Sequence, residues 1–333
     1  MKKLWNPSVL IEALKKHNLW AKKGFGQNFL ISKNVLDSIV ETADIQATDQ
    51  IIEIGPGPGV LSQELCARAQ KVTCIELDSS IIPLLKETLE DFTNYEILNM
   101  DVLDYDPSSL SSEESLKTHL GDITAGAPST EAQRAKEDRE RGIGKILTMS
   151  KSIPRRQDEF SNSPHIEAIP YKVVANIPYN ITSPIIKHFL QRKNPPTTMT
   201  MLVQNEVADK MCEAKNSILK LQIELFGTIK KIRTVSKNSF HPAPKVDSAI
   251  IHIEVYQATH PNHLDLDTAN KVLKIAKQAF SQKRKKMKST LKPLCNTSDP
   301  TLIEALEQNN LNFDQRPETL SRQDWINITK LIK

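Results

Sequence analysis

The sequence predicts an α/β protein with a doubly wound, mostly parallel sheet and a smaller helical domain at the carboxyl end. Three observations predict this fold class. Short apolar runs recur as far as Tyr256, the first of them ends in a glycine-rich turn, and acids follow the next two. From about His260 onward the pattern becomes helical and basic. We therefore place the large domain at residues 1–258 and the helical domain at residues 259–333.

The first apolar run leads into a turn in which three glycines alternate with prolines. Residues 51–54 are typical of a strand covered on both faces, residues 55–59 read GPGPG, and apolar residues at helical spacing follow from Val60. Gly55 and Gly57 permit positive φ and a close backbone approach, and the helix start offers free N–H groups to an anionic ligand group. The turn is a candidate cofactor cradle, although a glycine-rich turn alone is also typical of a plain structural turn.

Two acids lie at the carboxyl ends of the next two predicted strands. The run Val72–Asp78 delivers Glu76 about twenty residues after the first glycine, and the run Tyr95–Leu98 leads to Asp101 just past its end. Ligands of open α/β sheets bind outside the carboxyl ends of the strands, so we expect both acids at one crevice. Taken singly, each acid is equally typical of a helix cap or a solvated turn.

Further strands and helices complete the predicted architecture. The strands are expected at Tyr171–Ala175, Thr198–Gln204, Ile223–Val235 near the sheet edge and Lys245–Tyr256, and helices at Pro184–Leu190, Pro300–Glu307 and Gln323–Ile332.

Two common classes of phosphate-binding motif do not match the glycine-rich turn. The pattern E-x-G-x-G-x-G is not the G-x-G-x-x-G of nicotinamide enzymes, and no Gly-Lys-Ser/Thr of a P-loop follows the turn.

Seven ordered motifs resemble those of S-adenosylmethionine-dependent methyltransferases and, more narrowly, the family that dimethylates adenines of ribosomal RNA. They are Gly26–Leu30, the glycine turn, Ile75–Asp78, Asn176–Tyr179, Gln204–Ala208, Phe240–Ser248 and Arg316–Glu318. The resemblance covers most of the chain and implies a Rossmann-like methyltransferase sheet whose last strand is antiparallel.

Carried over residue by residue, the resemblance implies that S-adenosyl-L-methionine is the cofactor. Glu76 would hold the ribose hydroxyls and Asp101 the adenine amino group, roles that suit acceptor-only carboxylates. The implied cofactor-binding set is Asn28, Leu30, Gly55, Gly57, Glu76, Asp101 and Asn176.

The motif Asn176-Ile177-Pro178-Tyr179 stands at the carboxyl end of the fourth predicted strand. An adenine amine is a poor nucleophile, and acceptors such as the Asn176 oxygen favour the pyramidal geometry needed for attack on a methyl group. Pro178 cannot donate a hydrogen bond, and Tyr179 can stack on a flipped base. The resemblance adds Phe240 as a second stacking face. The alternatives are an ordinary proline turn at the strand end and a core anchor at Phe240.

Two basic clusters are candidate RNA contacts, since clustered lysines and arginines bind phosphates without reading sequence. The predicted RNA-binding residues are Lys22, Lys23, Lys283, Arg284, Lys285 and Lys286. A solvated helix face is the alternative interpretation of the second cluster.

The composition favours a cytoplasmic enzyme: 333 residues, 39% hydrophobic and net charge +4. We expect a monomer without a signal peptide, and no run of eighteen apolar residues exists to span a bilayer. The four cysteines show no paired spacing, so we expect neither a disulfide framework nor a metal site. Residues 107–165 are an insertion relative to the family. We expect a flexible surface excursion there, with a helical piece near residues 131–141.

The sequence thus predicts an enzyme that dimethylates the N6 amine of two adjacent adenines near the 3′ end of small-subunit ribosomal RNA. Its partner would be that RNA or a pre-ribosomal particle, and its role ribosome biogenesis. One alternative is the related enzyme group that modifies large-subunit RNA and confers macrolide resistance. Another is an RNA- or DNA-binding assembly or transcription factor of the same fold.

Overall fold

The computed structural model describes residues 2–22, 26–110, 169–177, 181–212, 217–282 and 284–332. Residues 1–107 and 170–333 form one compact unit, and residues 108–169 form a second. Most of the predicted insertion at 107–165, including its helical piece, lies outside the described residues. The division into domains at residue 258 stays a prediction.

A seven-stranded sheet forms the centre of the first unit. Its strands are β2 Gln50–Ile54, β3 Lys71–Glu76, β4 Tyr95–Asn99, β5 Tyr171–Asn176, β6 Thr198–Gln204, β7 Gly227–Val235 and β9 Ser248–Val255. The spatial order is β4-β3-β2-β5-β6-β9-β7. The five neighbouring strands β4, β3, β2, β5 and β6 pair in parallel. Strand β9 is antiparallel to both of its neighbours, β6 and β7. The predicted α/β class and antiparallel last strand are confirmed.

Beside this sheet, two short strands form a ladder of their own. They are β1 Phe29–Leu30 and β8 Phe240–His241, and Leu30 pairs with Phe240.

The chain order of the main sheet reverses at β2, with β3 on one side and β5 on the other. That reversal is the topological switch point at which ligands of open α/β sheets bind.

The helices predicted at Pro184–Leu190, Pro300–Glu307 and Gln323–Ile332 are confirmed, and one predicted element is an exception. Eleven helices lie in the described part of the chain. They are α1 Pro7–Lys16, α2 Lys33–Ala43, α3 Val60–Cys66, α4 Ile82–Thr88, α5 Thr182–Leu190, α6 Asn205–Cys212, α7 Ile218–Phe226, α8 Leu266–Ala279, α9 Met287–Thr290, α10 Pro300–Glu307 and α11 Arg322–Leu331. In the described part of the chain, no helix is long and apolar enough to cross a membrane.

The exception is the predicted strand Ile223–Val235. Its second part is the edge strand β7, but residues 223–226 are the last turn of α7, so the strand prediction is wrong there. The Ser217 hydroxyl accepts a hydrogen bond from the Lys220 N–H at 3.1 Å and caps the helix. The apolar run therefore begins as the buried face of a capped helix and becomes a strand only at Gly227.

A large hydrophobic core fills one face of the sheet. Leu36 and Ile39 of α2 and Leu65 of α3 are fully buried there together with Ile51 of β2. In the carboxyl-terminal part, Trp325 of α11 is also fully buried, and its ring centroid lies 5.9 Å from that of Phe280. Helix α8 packs against α7 and α11, which attaches the terminal helices to the rest of the unit.

The amino-terminal helix α1 is fixed to α4 by packing and by charge. Leu10 and Leu14 pack against Phe29 and neighbouring apolar residues. The Glu87 carboxylate contacts the Lys2 ammonium at 2.9 Å, the Lys16 ammonium at 2.9 Å and the His17 ring at 2.7 Å. Hydrogen bonds from these three groups lower the pKa of Glu87 to about 2. This anchoring brings the segment after α1 towards the carboxyl edge of the sheet.

We expect Gly59→Ala to destabilise the protein strongly. Gly59 has φ +91°, and an added Cβ would lie 2.8 Å from Thr88 Cγ2 and 3.0 Å from Leu85 Cδ1. Strain and overpacking together cost about 1–3 kcal/mol. Urea unfolding measures the loss, and Glu41→Ala on the exposed face of α2 is the control. Equal midpoints for the Gly59 variant and the wild type would contradict the expectation.

Candidate active site

One cavity lies at the carboxyl ends of β2, β3 and β5, beside the switch point of the sheet. Its wall combines the glycine turn, the ends of the strands and the segment around β1. The residues that line it include every predicted cofactor-binding residue: Asn28, Leu30, Gly55, Gly57, Glu76, Asp101 and Asn176. The structure therefore brings together groups that are up to 148 residues apart in the chain.

The glycine turn is held open by backbone geometry that glycine adopts readily. Gly55, Gly57 and Gly59 have φ values of +65°, +57° and +91°. A Cβ on Gly57 would lie only 3.3 Å from Phe29 Cε1, whereas one on Gly55 would meet nothing closer than the Asn176 carbonyl oxygen at 3.9 Å. The turn thus lets the backbone approach the cavity directly.

Glu76 is fixed at the end of β3 with only 7% of its surface exposed. Its Oε2 accepts a hydrogen bond from the Gly57 N–H at 3.0 Å, and its Oε1 accepts one from the Asp78 N–H at 2.8 Å. Burial raises the pKa of Glu76, and these two backbone hydrogen bonds offset part of the rise. The oriented carboxylate retains acceptor capacity for donors such as a ribose diol.

Asp101 lies just past β4 on the same cavity wall. Its Oδ1 accepts a hydrogen bond from the Leu103 N–H at 2.9 Å, which orients the side chain. Leu77 and Met100, the sequence neighbours of the two acids, also line the cavity. An apolar surface with a carboxylate at its edge suits a flat heteroaromatic ring that carries an amine.

Asn176 is the last residue of β5 and lies near the centre of the sheet. Its Nδ2 donates a hydrogen bond to the Asn28 carbonyl oxygen at 3.4 Å. Among the described residues, no donor lies within hydrogen-bond distance of its Oδ1. The amide is therefore oriented with its oxygen available as an acceptor.

Glu53 is a further acid on the cavity wall, and sequence reasoning gave it no role. It is 1% exposed, and Cys74 Sγ lies 3.5 Å from its Oε2. Burial raises the pKa of Glu53 to about 7, although the nearby Ser62 hydroxyl and Cys74 thiol act in the opposite direction. The signal in the sequence was an acid inside an otherwise apolar strand directly before the glycine turn.

Comparison with known proteins decides the family. The model of the ribosomal RNA adenine dimethylase family matches residues 17–333. The chain belongs to this family. It is similar to Ribosomal RNA small subunit methyltransferase A of Alkaliphilus metalliredigens (strain QYMF), with 31% identity over 335 residues, 99% of this chain and 98% of that protein. The protein of the same name from Clostridioides difficile (strain 630) is 29% identical over 336 residues, 100% of this chain and 98% of that protein.

Two solved structures show the same fold as this member of the dimethylase family. A dimethyladenosine transferase from Plasmodium falciparum has a TM-score of 0.62 and 21% identity, covering 90% of this chain and 95% of that chain. The 23S rRNA methyltransferase ErmE has a TM-score of 0.60 and 22% identity, covering 92% and 99%. The predicted family, methyltransferase class and Rossmann-like fold are confirmed.

Phe240 is the one further residue predicted for the dimethylase site that the structure describes. Phe240 is 3% exposed in the hydrophobic core and does not line the cavity, so its role as a stacking face stays a prediction. Pro178 and Tyr179 lie outside the described residues.

The predicted RNA contacts divide into three groups. The Lys22 ammonium lies 2.8 Å from the Asp78 carboxylate. Arg284, Lys285 and Lys286 are exposed, and the Lys286 ammonium lies 3.1 Å from Asp314 Oδ1. Lys23 and Lys283 lie outside the described residues. The four cysteines, all within the described part, are free thiols.

Proposed function

We propose that the protein binds S-adenosyl-L-methionine and dimethylates adenine N6 amines of small-subunit ribosomal RNA. The observation that carries the proposal is the convergence of Glu76, Asp101 and Asn176 on one cavity beside the glycine turn. The small-subunit assignment rests on the names of the relatives that match nearly the whole chain. We further propose a monomeric, cytoplasmic enzyme that acts in ribosome biogenesis.

The cavity fits the cofactor by its donors, acceptors and shape. Glu76 presents a buried, oriented carboxylate for two hydroxyls. Asp101 presents an exposed carboxylate, oriented by the Leu103 N–H, for an exocyclic amine. Gly55 and Gly57 line the cavity without side chains, in the positive-φ conformation that glycine adopts readily. Asn28 and Leu30 line the same cavity. When bound, S-adenosylmethionine supplies an electrophilic methyl group.

The residues around the cavity act by positioning and hydrogen bonding. The Asn176 Oδ1 accepts a hydrogen bond from the adenine amine and favours its pyramidal geometry. The Asn28 carbonyl oxygen holds the amide so that Nδ2 points away from that amine. Pro178 and Tyr179 follow directly in the sequence, and we assign them to the acceptor-rich edge and to stacking on the base. The catalytic contribution is preorganised positioning and electrostatics.

The RNA itself is held by contacts between its phosphates and basic side chains. We assign this role to the exposed basic run at Arg284–Lys286, together with Lys23 and Lys283. Such contacts fix orientation and carry no sequence information. Affinity for RNA should therefore fall steeply with rising salt.

Mapping of transferred methyl groups tests the proposal. Purified protein and labelled cofactor are offered to undermethylated small-subunit particles and, separately, to large-subunit RNA. We expect label on adenine N6 of the small-subunit RNA, with two methyl groups on each modified amine. Label confined to large-subunit RNA would overturn the substrate assignment. Binding of RNA without transfer to either would favour an assembly or transcription factor.

A further inference from the structure

Asp78 is a buried charged residue beside the cavity that the chemistry above does not use. It follows Glu76 and Leu77, both of which line the cavity, but it does not line the cavity itself. Only 5% of its surface is exposed. A buried carboxylate is costly unless it is paired and hydrogen-bonded, so its partners identify what it does.

Two of the partners of Asp78, Lys22 and Gln27, belong to the amino-terminal segment, and the third is the nearby Ser80. Its Oδ1 accepts hydrogen bonds from the Lys22 ammonium at 2.8 Å and from the Ser80 hydroxyl at 2.6 Å. Its Oδ2 accepts one from Gln27 Nε2 at 2.8 Å. Gln27 Oε1 in turn accepts from the Lys22 N–H at 2.9 Å. We call Lys22, Gln27, Asp78 and Ser80 the Asp78 clasp.

The clasp joins two walls of the cavity. On one side, Gln27 lines the cavity and is followed directly by Asn28, Phe29 and Leu30, which also line it. On the other side, the Asp78 N–H donates to Glu76 Oε1 at 2.8 Å. The segment 26–30 has a second attachment in the β1–β8 ladder, where Leu30 pairs with Phe240. The clasp therefore ties this segment to the Glu76 wall, where the proposed function places the ribose hydroxyls.

The charge on Asp78 is stable over the working range of an enzyme. Burial alone would raise the pKa of Asp78, but hydrogen bonds from Lys22, Ser80 and Gln27 outweigh it and lower the pKa to about 2. The clasp is thus an ionised carboxylate held by an ammonium and an amide. Charge-assisted hydrogen bonds of this kind are stronger than neutral ones.

We propose that Asp78 is a positioning residue that sets the affinity of the cavity for its cofactor by holding Gln27 and the segment 26–30 against the Glu76 wall. The inference rests on the proposed function, since it takes the ligand of the cavity to be S-adenosylmethionine. Asp78 acts through Gln27 and does not touch the cofactor. Lys22, which the sequence suggested for RNA binding, is part of this clasp.

An exchange of the amide and the carboxylate tests the clasp. In Gln27→Glu two carboxylates face each other, and in Asp78→Asn the ion pair with Lys22 is lost. The double variant Gln27→Glu/Asp78→Asn restores a carboxylate–amide pair with donor and acceptor reversed. The effects of substitutions at two directly contacting residues are not additive, so we expect the Kd for S-adenosylmethionine to rise about 10-fold in each single variant and to recover in the double variant.

Titration calorimetry with S-adenosylmethionine gives the Kd, and hydrogen exchange of residues 26–30 in the cofactor-free protein gives an independent readout. Asp267→Asn, on the exposed start of α8, is the matched control, and Lys22→Gln is a milder variant should a carboxylate variant fail to fold. Wild-type Kd values in Gln27→Glu and Lys22→Gln, or a double variant as weak as the singles, would overturn the clasp alone. Absence of binding to the wild-type protein would overturn the proposed function and the clasp with it.

Discussion

Replacement of Asn176 by alanine should slow methyl transfer by about 10²–10³-fold, the loss typical when one preorganised hydrogen-bonding group is removed from a transition state. The substitution removes the acceptor oxygen at the end of β5 and leaves Glu76 and Asp101 in place. We therefore expect the Kd for S-adenosylmethionine to change only a few-fold. Single-turnover rates with bound RNA, together with calorimetric Kd values, separate the two effects.

Asn176→Asp distinguishes an acceptor role from a packing role. The aspartate keeps an oxygen for the amine but places its second oxygen against the Asn28 carbonyl, where Asn176 Nδ2 now donates at 3.4 Å. We expect a rate between those of the wild type and the alanine variant. An alanine variant that transfers methyl groups at the wild-type rate would remove Asn176 from the mechanism.

Local sequence signals were sufficient to predict the sheet and the glycine turn. Short apolar runs and the glycine and proline residues between them locate β2 to β6. The switch point at β2 then places the carboxyl ends of these strands around one cavity. Residues 223–226 were assigned wrongly because a short apolar run fits a strand and a buried helix equally well. In the structure Ser217 caps the helix Ile218–Phe226, and residues 223–226 are the last turn of that helix.

Contacts between segments that are far apart in the chain could not be predicted in the same way. Lys22 belongs to a basic cluster in the sequence, yet its ammonium meets Asp78, 56 residues further along the chain. Phe240 stands in a motif that the resemblance assigns to the base, yet the β1–β8 ladder brings it into the core. Both depend on which segments the fold places side by side, and spacing along one chain does not contain that information.

Glu53 should make the stability of the cofactor-free protein fall as the pH rises from about 4.5 to about 7. Its pKa is raised from 4.5 to about 7 by burial, so the folded state binds a proton that the unfolded state has released over that range. The stabilising contribution of the neutral carboxyl is complete below pH 4.5. It is lost as the pH rises through about 7, because the folded protein must then bury an ionised carboxylate.

The variant Glu53→Gln should therefore gain stability over the wild type as the pH increases. Its neutral amide cannot ionise, so between pH 5 and pH 8 the free energy of unfolding of the variant should rise relative to that of the wild type by about 2 kcal/mol. Urea unfolding at both pH values measures the difference, with Glu41→Gln on the exposed face of α2 as the control. A Glu53→Gln variant whose stability follows the same pH profile as the wild type would show that Glu53 ionises as freely in the folded protein as in the unfolded chain.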